Sequence, residues 1–345
     1  MNRHGPVDLS RYSRQAILKE IGEDGQRRLL ASRVAVVGAG ATGSTASTIL
    51  ARAGIGFIRL VDRDIVEVSN LQRQLLYIEE DARLGLPKAV AAERHLSSMN
   101  PDIVVEGIND HLSPRNISAL LGDCDLVVDG TDNMETRYLV NDYCVREGLP
   151  WIYGGALGSR GMTMAIDSGA GPCFRCLFRE APGPGELGTC ETAGVLGSAP
   201  VIVGAHQGAA AIRLLVSGER SAAGKLLTFD LWSDEYTAIT VRKDPDCPAC
   251  GRREFPYLRE EIKTTVVTTC GEGTYQIYPP APRPIDLARH ARSLEGKGKV
   301  VPKGHYIEFA EEDRGMILFA DGRARIKGVS SPAEALSFYA RYVGM

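Results

Sequence analysis

Along the first half of the chain, short apolar runs alternate with longer mixed segments. Within residues 33–38, RVAVVG, Val34 to Val37 form an apolar run of the kind a buried strand needs, and GFIRLVD at 56–62 reads as the next strand. Between them GAGATG opens a run of small residues, 44–53, which reads as a helix. Strand, helix and strand in this order make a βαβ unit, whose strands lie parallel. Upstream, Ile17, Leu18, Ile21, Leu29 and Leu30 predict a helix over 11–30. Downstream follow a helix over 86–100, strands over 103–108 and 124–130, a helix over 134–147 and a short strand over 150–155.

Around 168–200 the composition shifts to Gly, Pro and Cys, which predicts an irregular crossover. A helix over 205–215 follows, and LLTFDLWSDEYTAITV at 226–241 alternates as antiparallel strands do. Past CPACGRREFPYLREE the chain changes character near Glu261. The remainder reads as a strand at 274–279, a helix at 284–294, strands over 299–311, 315–321 and 323–329, and a helix at 332–343. ADGR within it is a hairpin signal, because Gly supplies the positive φ that such a turn requires. The expected architecture is α/β: a doubly wound, mostly parallel sheet with an antiparallel extension over 1–261, then a small α+β module over 262–345.

Composition narrows the classes. The 345 residues are 44% hydrophobic and 24% charged with a net charge of −3, so no basic excess points to nucleic acid. MNRHGPVDLSRYSRQ lacks the apolar core of a signal peptide, and no membrane span is expected. Eight cysteines in such a chain suggest metal binding or reactive thiols rather than disulfides, and a cytoplasmic location.

The candidate chemistry starts at Gly38, Gly40 and Gly43, whose turn lets backbone amides and a helix N-terminus approach a phosphate. This turn alone fits NAD, FAD and ATP equally, so a nicotinamide- or flavin-dependent oxidoreductase is the competing reading. Asp62, ending the second strand, stands where an acid binds ribose hydroxyls. Lys88 lies in a first helical turn, against the helix dipole, which is sensible where an anion lies nearby. Arg73 is a second cation in the same region. The stretch VVDGTDNMETR brings Asp129, Asp132, Asn133 and Arg137 to the end of a further strand, on the ligand-binding edge of such a sheet. Asp132 either holds Mg²⁺ or caps the following helix, or does both. Cys173/Cys176 and Cys247/Cys250 are two C-x-x-C pairs suited to one Zn²⁺ or to two redox pairs. Cys124 and Cys144 read as core and His206 as a packed polar group. Cys270 is either a second acceptor thiol or incidental.

RYSRQ, GAGATG, DRDIVEVSNLQRQ, GLPKAVAA, DGTDNMETR and TCETAGVLG, in this order and with the two cysteine pairs bracketing the last, resemble the ubiquitin-activating-type adenylyltransferases of bacteria and archaea. The resemblance covers residues 9–251. It implies ATP rather than NAD, with Asp62 on the ribose, Asn70, Arg73 and Lys88 on the phosphates, and Asp132 at the catalytic and Mg²⁺-binding position. It implies that Arg14 reaches into the ATP site of a second copy, hence a homodimer, and that the four paired cysteines hold structural zinc. The implied substrate is the C-terminal carboxylate of a small sulfur-carrier or ubiquitin-like protein. Cys190 matches a cysteine that in some relatives accepts the activated acyl group or joins a carrier persulfide. No rhodanese domain is present, so a sulfur donor would be a separate protein. The module beyond 262 is read as a carrier- or partner-docking element.

Overall fold

A computed structural model of the chain describes residues 8–180, 193–218, 224–259, 265–268, 274–279 and 283–344. The chain divides into two compact units, Met1–Glu260 and Glu261–Met345. In the first, the elements run α1 (Ser13–Ala16), α2 (Gly22–Ala31), β1 (Arg33–Val37), α3 (Ala41–Ala53), β2 (Phe57–Val61), α4 (Glu79–Leu84), α5 (Lys88–Met99), β3 (Val104–Ile108), α6 (Ile117–Leu121), β4 (Leu126–Asp129), α7 (Met134–Glu147), β5 (Trp151–Leu157), β6 (Arg160–Ile166), α8 (Phe174–Leu177), α9 (Ser198–Ser217), β7 (Lys225–Asp230) and β8 (Glu235–Thr240).

One sheet carries all eight strands in the order β3-β2-β1-β4-β5-β6-β7-β8. The first five are parallel and the last three join antiparallel. Alternate residues of β1 feed two cores, Val34 and Val36 on one face and Ala35 and Val37 on the other. A parallel strand covered on both faces has to read as a continuous apolar run, which is why it was visible in sequence. Strand β6 was not anticipated. Its sequence, RGMTMAI, begins in a glycine-rich stretch that resembles a loop. The fold needs Gly161 there, since a Cβ would run into the Phe229 ring.

The helix expected over 11–30 is broken. Tyr12 is buried; its hydroxyl accepts a bond from Asn100 Nδ2 at 2.8 Å, while Gln15 Nε2 donates to Gln26 Oε1 at 2.7 Å and to Ala53 O at 3.0 Å. These anchors hold the first turns against the end of α3, and the chain resets at Gly22, φ +63°, with which α2 starts.

Helix α9 is long and apolar enough to cross a membrane by length and composition alone. Here it is a core helix, buried along Val203, Gly204, Gln207, Gly208 and Ala211. A Cβ at Gly204 would stand 2.6 Å from Thr42 O and one at Gly208 2.7 Å from Ile49, so the two glycines permit its close crossing of α3. His206 is exposed, contrary to the packed role expected for it.

The second unit is a six-stranded antiparallel sheet of β9 (Thr265–Thr268), β10 (Thr274–Tyr278), β11 (Lys299–Pro302), β12 (Tyr306–Glu311), β13 (Arg314–Phe319) and β14 (Ala324–Lys327), in the order β11-β12-β13-β14-β10-β9. Helices α10 (Leu287–Leu294) and α11 (Pro332–Tyr342) place Leu294, Phe338 and Tyr342 on the core formed by Ile307, Phe309, Met316 and Ile326. The ADGR turn has Gly322 at φ +88°.

Buried Asp142 of α7 accepts from Tyr257 N at 3.2 Å and lies 3.8 Å from Arg175. Burial pushes its carboxyl up to about 6 from an ordinary 3.8. The folded protein therefore holds the proton more tightly than the unfolded chain, and this side chain's contribution to stability declines as pH rises through 4–6. Asp142→Asn keeps an acceptor for Tyr257 and does not titrate. Thermal unfolding should show the variant gaining on wild type from pH 4 to pH 7; a difference that is flat across that range contradicts the assignment.

Candidate active site

The site forms where β1, β2 and β4 end side by side. Gly38 adopts φ +87°, and a Cβ there would lie 2.6 Å from the carbonyl carbon of Gly130. One at Gly43 would collide with Gly38 O. These two glycines are thus demanded by packing of backbone on backbone. Gly40 is different: the nearest atom to its Cβ would be Gly130 O at 3.7 Å, an ordinary contact. Within the chain nothing requires glycine at 40, and the room left beside it suits a close-lying phosphate. The N-terminus of α3, which starts after Gly40, carries no side-chain cap. Its first amides are free to meet an anion.

Asp62 is tied to this turn. Its Oδ2 accepts from Ala39 N and its Oδ1 from Asp64 N, both at 2.7 Å. Burial raises its carboxyl above the ordinary range, against the pull of Lys88 and the two N–H donors. Lys88 is buried, with Nζ 3.4 Å from Asp64 Oδ2 and its backbone N donating to Asp64 O at 2.8 Å. Asp64, for which sequence reasoning gave no role, therefore steers the lysine at two points. Tyr77 was also missed. Its hydroxyl donates to Ala39 O at 2.7 Å and approaches Lys88 O at 3.3 Å, fastening the glycine turn to α5; a lone tyrosine in QLLY carries no motif to reveal this. Asn70 is buried, and its Oδ1 closes the preceding turn by accepting from Glu67 N at 3.1 Å. Arg73, half-buried, donates Nη1 to Ser69 O at 2.7 Å; its other donors make no bond recorded among the described residues.

The turn from β4 to α7 carries Asp132. The helix is capped by Asn133, whose Oδ1 accepts from Thr136 N at 2.9 Å, so capping does not occupy Asp132. Thr131 is held from the other side: its N and Oγ1 donate to Asp129 Oδ1 at 2.9 and 2.6 Å. Among the described residues Asp132 makes no hydrogen bond or ion pair, and it is exposed. Its neighbours are pinned while its own carboxylate is uncommitted. Arg137 joins Asp129 Oδ2 at 3.0 Å and donates Nη2 to Thr131 O at 2.6 Å and to Gly154 O at 3.0 Å.

Cys190 and Cys270 lie outside the described residues. Past the first of them, Gly158 N donates to Gly194 O at 3.0 Å and Leu196 N to Gly158 O at 2.8 Å, so the returning chain runs beside the end of β5. Arg14 stands exposed on α1 between the anchors Tyr12 and Gln15, with Ile17 and Leu18 also exposed nearby in sequence. No acid pairs with it among the described residues.

The paired cysteines come together in one cluster. Cys173 Sγ is 4.0 Å from Cys176 Sγ and 3.5 Å from Cys247 Sγ, Cys176 Sγ is 3.4 Å from Cys250 Sγ, and all four lie within 4.8 Å of one another. A tetrahedral site with Zn–S of about 2.3 Å has sulfur–sulfur edges near 3.8 Å, so one metal fits all four. Two separate redox pairs would not draw the sulfurs of different pairs closer than those within one. Asp244 N also points to Cys176 Sγ at 3.5 Å, as amides do toward a metal-bound thiolate. Cys124 and Cys144 are buried, and burial pushes both thiols up, Cys124 to about 12.

Comparison with known proteins places this arrangement. The ThiF family model matches residues 12–249. Sulfur carrier protein ThiS adenylyltransferase of Bacillus subtilis (strain 168) is 40% identical over 337 residues, 97% of this chain and 99% of that protein. SAMP-activating enzyme E1 of Haloferax volcanii is 43% identical over 245 residues, 71% of this chain and 90% of its own. Sulfur carrier protein adenylyltransferase of Thermus thermophilus is 41% identical over 260 residues, 74% of this chain and 94% of its own. The crystal structure of E. coli MccB with ATP superposes with a TM-score of 0.62 at 24% identity, over 71% of this chain and 75% of that one, which is a likeness of fold. With 238 contiguous positions matched and near-full-length similarity to one relative, the chain belongs to the ThiF family.

Proposed function

We propose that this protein transfers AMP from ATP to the C-terminal carboxylate of a small sulfur-carrier or ubiquitin-like protein, releasing pyrophosphate. The observation that carries the reading is the uncommitted Asp132 carboxylate on a pinned turn that packs against the glycine loop. A dehydrogenase has no use for such a group beside its pyrophosphate; an enzyme that handles a metal–triphosphate does. The names borne by the relatives from Bacillus, Haloferax and Thermus support the substrate class.

The acceptor carboxylate is ionised at neutral pH, so its attack on the α-phosphorus needs no general base. What it needs is alignment and neutralisation of two approaching anions. The α3 N-terminus and Gly40 receive phosphate, Asp62 takes the ribose with its remaining lone pairs, and Lys88, aimed by Asp64, meets phosphate charge together with Arg73 and Asn70. Asp132 would hold Mg²⁺, which when bound offsets the charge of the leaving pyrophosphate. Arg14 would complete the site of a second copy, making the enzyme a homodimer. Zn²⁺ on Cys173, Cys176, Cys247 and Cys250 would fasten the crossover to the β7–β8 end of the sheet. Cys190 would receive the acyl group where the reaction continues beyond the adenylate, with a separate protein as sulfur donor. The second unit would dock the carrier or another partner: relatives of the adenylating type are matched almost throughout by alignments too short to span both units. The cysteine usage, suited to metal binding rather than to a disulfide framework, leads us to place the reaction in the cytoplasm.

ATP–pyrophosphate exchange with purified carrier proteins ending in Gly-Gly tests the reading. Exchange should require one such carrier and fall by about 10²-fold or more in Asp132→Ala with nucleotide still bound; exchange unaffected by that change contradicts the site. Arg14→Ala and Asp132→Ala should each be inactive alone, yet mixing them should restore activity to about a quarter of wild type through mixed dimers, each with one intact site. No recovery after subunit exchange would rule out a shared site. Metal analysis should find one zinc per chain, and Cys247→Ser should release it and lower the melting temperature by several degrees. A metal-free wild type with the same melting temperature would contradict the zinc assignment.

A further inference from the structure

We infer that Arg137 is a positioning residue for the adenylation step, aiming Asp132 without touching the reactants. The inference rests on the function proposed above and assigns a role to a side chain that the proposed chemistry does not use.

Asp132 makes no bond of its own among the described residues, so its place is set by the backbone on either side. On the helix side the setting is done by the Asn133 cap. On the strand side it is done by a bracket built around one guanidinium. Arg137 reaches back from the first turn of α7; its Nη2 holds the carbonyl of Thr131, the peptide immediately before Asp132, and also holds Gly154 O on β5. Its Nε holds Asp129, which in turn receives both donors of Thr131. The guanidinium lies over the Tyr153 ring at 5.3 Å, and its side chain is only 11% exposed. Three acceptors on three segments, the end of β4, the turn and β5, are therefore fixed relative to one another by a single planar group.

That geometry separates two roles. If Arg137 served only to neutralise buried Asp129, a lysine would serve nearly as well. A bracket across three acceptors needs the rigid fork of arginine, which an ammonium on a flexible stem does not reproduce. Displacing a catalytic group by about 1 Å costs on the order of 10²-fold in rate. The cost falls chiefly on the chemical step: Gly38 and Gly43 touch the Gly130 turn, but the glycine turn is also tied to Asp62 through Ala39 N and to Tyr77 through Ala39 O, and Lys88 to Asp64, by contacts in which Arg137 takes no part.

The test is Arg137→Lys in the full chain, after wild type has shown carrier-dependent exchange; absence of exchange in wild type would defeat the functional reading and not this one. The variant should fold, bind ATP within about 3-fold of wild type and lose roughly 10- to 100-fold in kcat. In ligand-free protein, amide hydrogen exchange over 130–133 should speed up while that of β1 stays unchanged. A lysine variant with kcat within about 3-fold of wild type overturns the inference, as does a loss of ATP affinity matching the loss of rate. If the lysine variant does not fold, Thr131→Val removes the 2.6 Å Oγ1 bond from the other side of the bracket. It should reproduce the effect in weaker form, a fall in kcat with ATP binding retained, and unchanged kcat there overturns the inference too.

Discussion

The contact on which the site depends is one of backbone against backbone, between the turn after β1 and the turn after β4. Gly38, Gly43 and Gly130 approach so closely that a methyl group on any of them would strike main-chain atoms of another. Neighbouring parallel strands already place their carboxyl ends together. The glycines take the remaining step by letting the two turns touch. Asp62 then fastens the second strand to the same turn through Ala39, and Tyr77 fastens α5 to it from the other side. The groups proposed to bind nucleotide and to act in catalysis thus share one rigid seat, although they come from segments far apart in the chain.

Around that seat, charged groups divide into those spent on structure and those left available. Asp129 and Arg137 are used up by each other and by main-chain partners, and both are buried or nearly so. Asp64 is spent on aiming Lys88. Asp132 and Arg14 are the contrast: both are exposed, and each is flanked by residues whose bonds hold the local backbone still. Leaving a polar group without partners on a firmly held backbone keeps it available for substrate at low reorganisation cost. The cysteine cluster follows the opposite logic, drawing four side chains of two turns far apart in the chain to one point.

Much of this was legible in sequence, for identifiable reasons. Strands β1, β2 and β4 are buried on both faces, so their residues had to be largely apolar, and Gly38 and Gly43 had to be glycine for packing. Asp62, Lys88, Asp132 and the two cysteine pairs sat in recognisable local patterns. What escaped were relations between patterns. Nothing in DRD says that its second acid serves a lysine 24 residues on. The Asn133 cap and the anchoring of Tyr12 and Gln15 depend on partners that only the fold supplies. Strand β6 was hidden because its glycine, needed beneath Phe229, looks like a loop signal when read alone. The break in the N-terminal helix was hidden for a similar cause, since apolar spacing cannot reveal a hydrogen bond to Asn100.

The most direct measurement follows the label from ATP. With carrier protein present, a label on the α-phosphate should move onto the carrier as an acid-stable, hydroxylamine-sensitive adduct, while a label on the γ-phosphate should leave as pyrophosphate. Release of the γ-label as inorganic phosphate with no α-label on the carrier would contradict adenylation and show that the seat built by these turns serves a different chemistry.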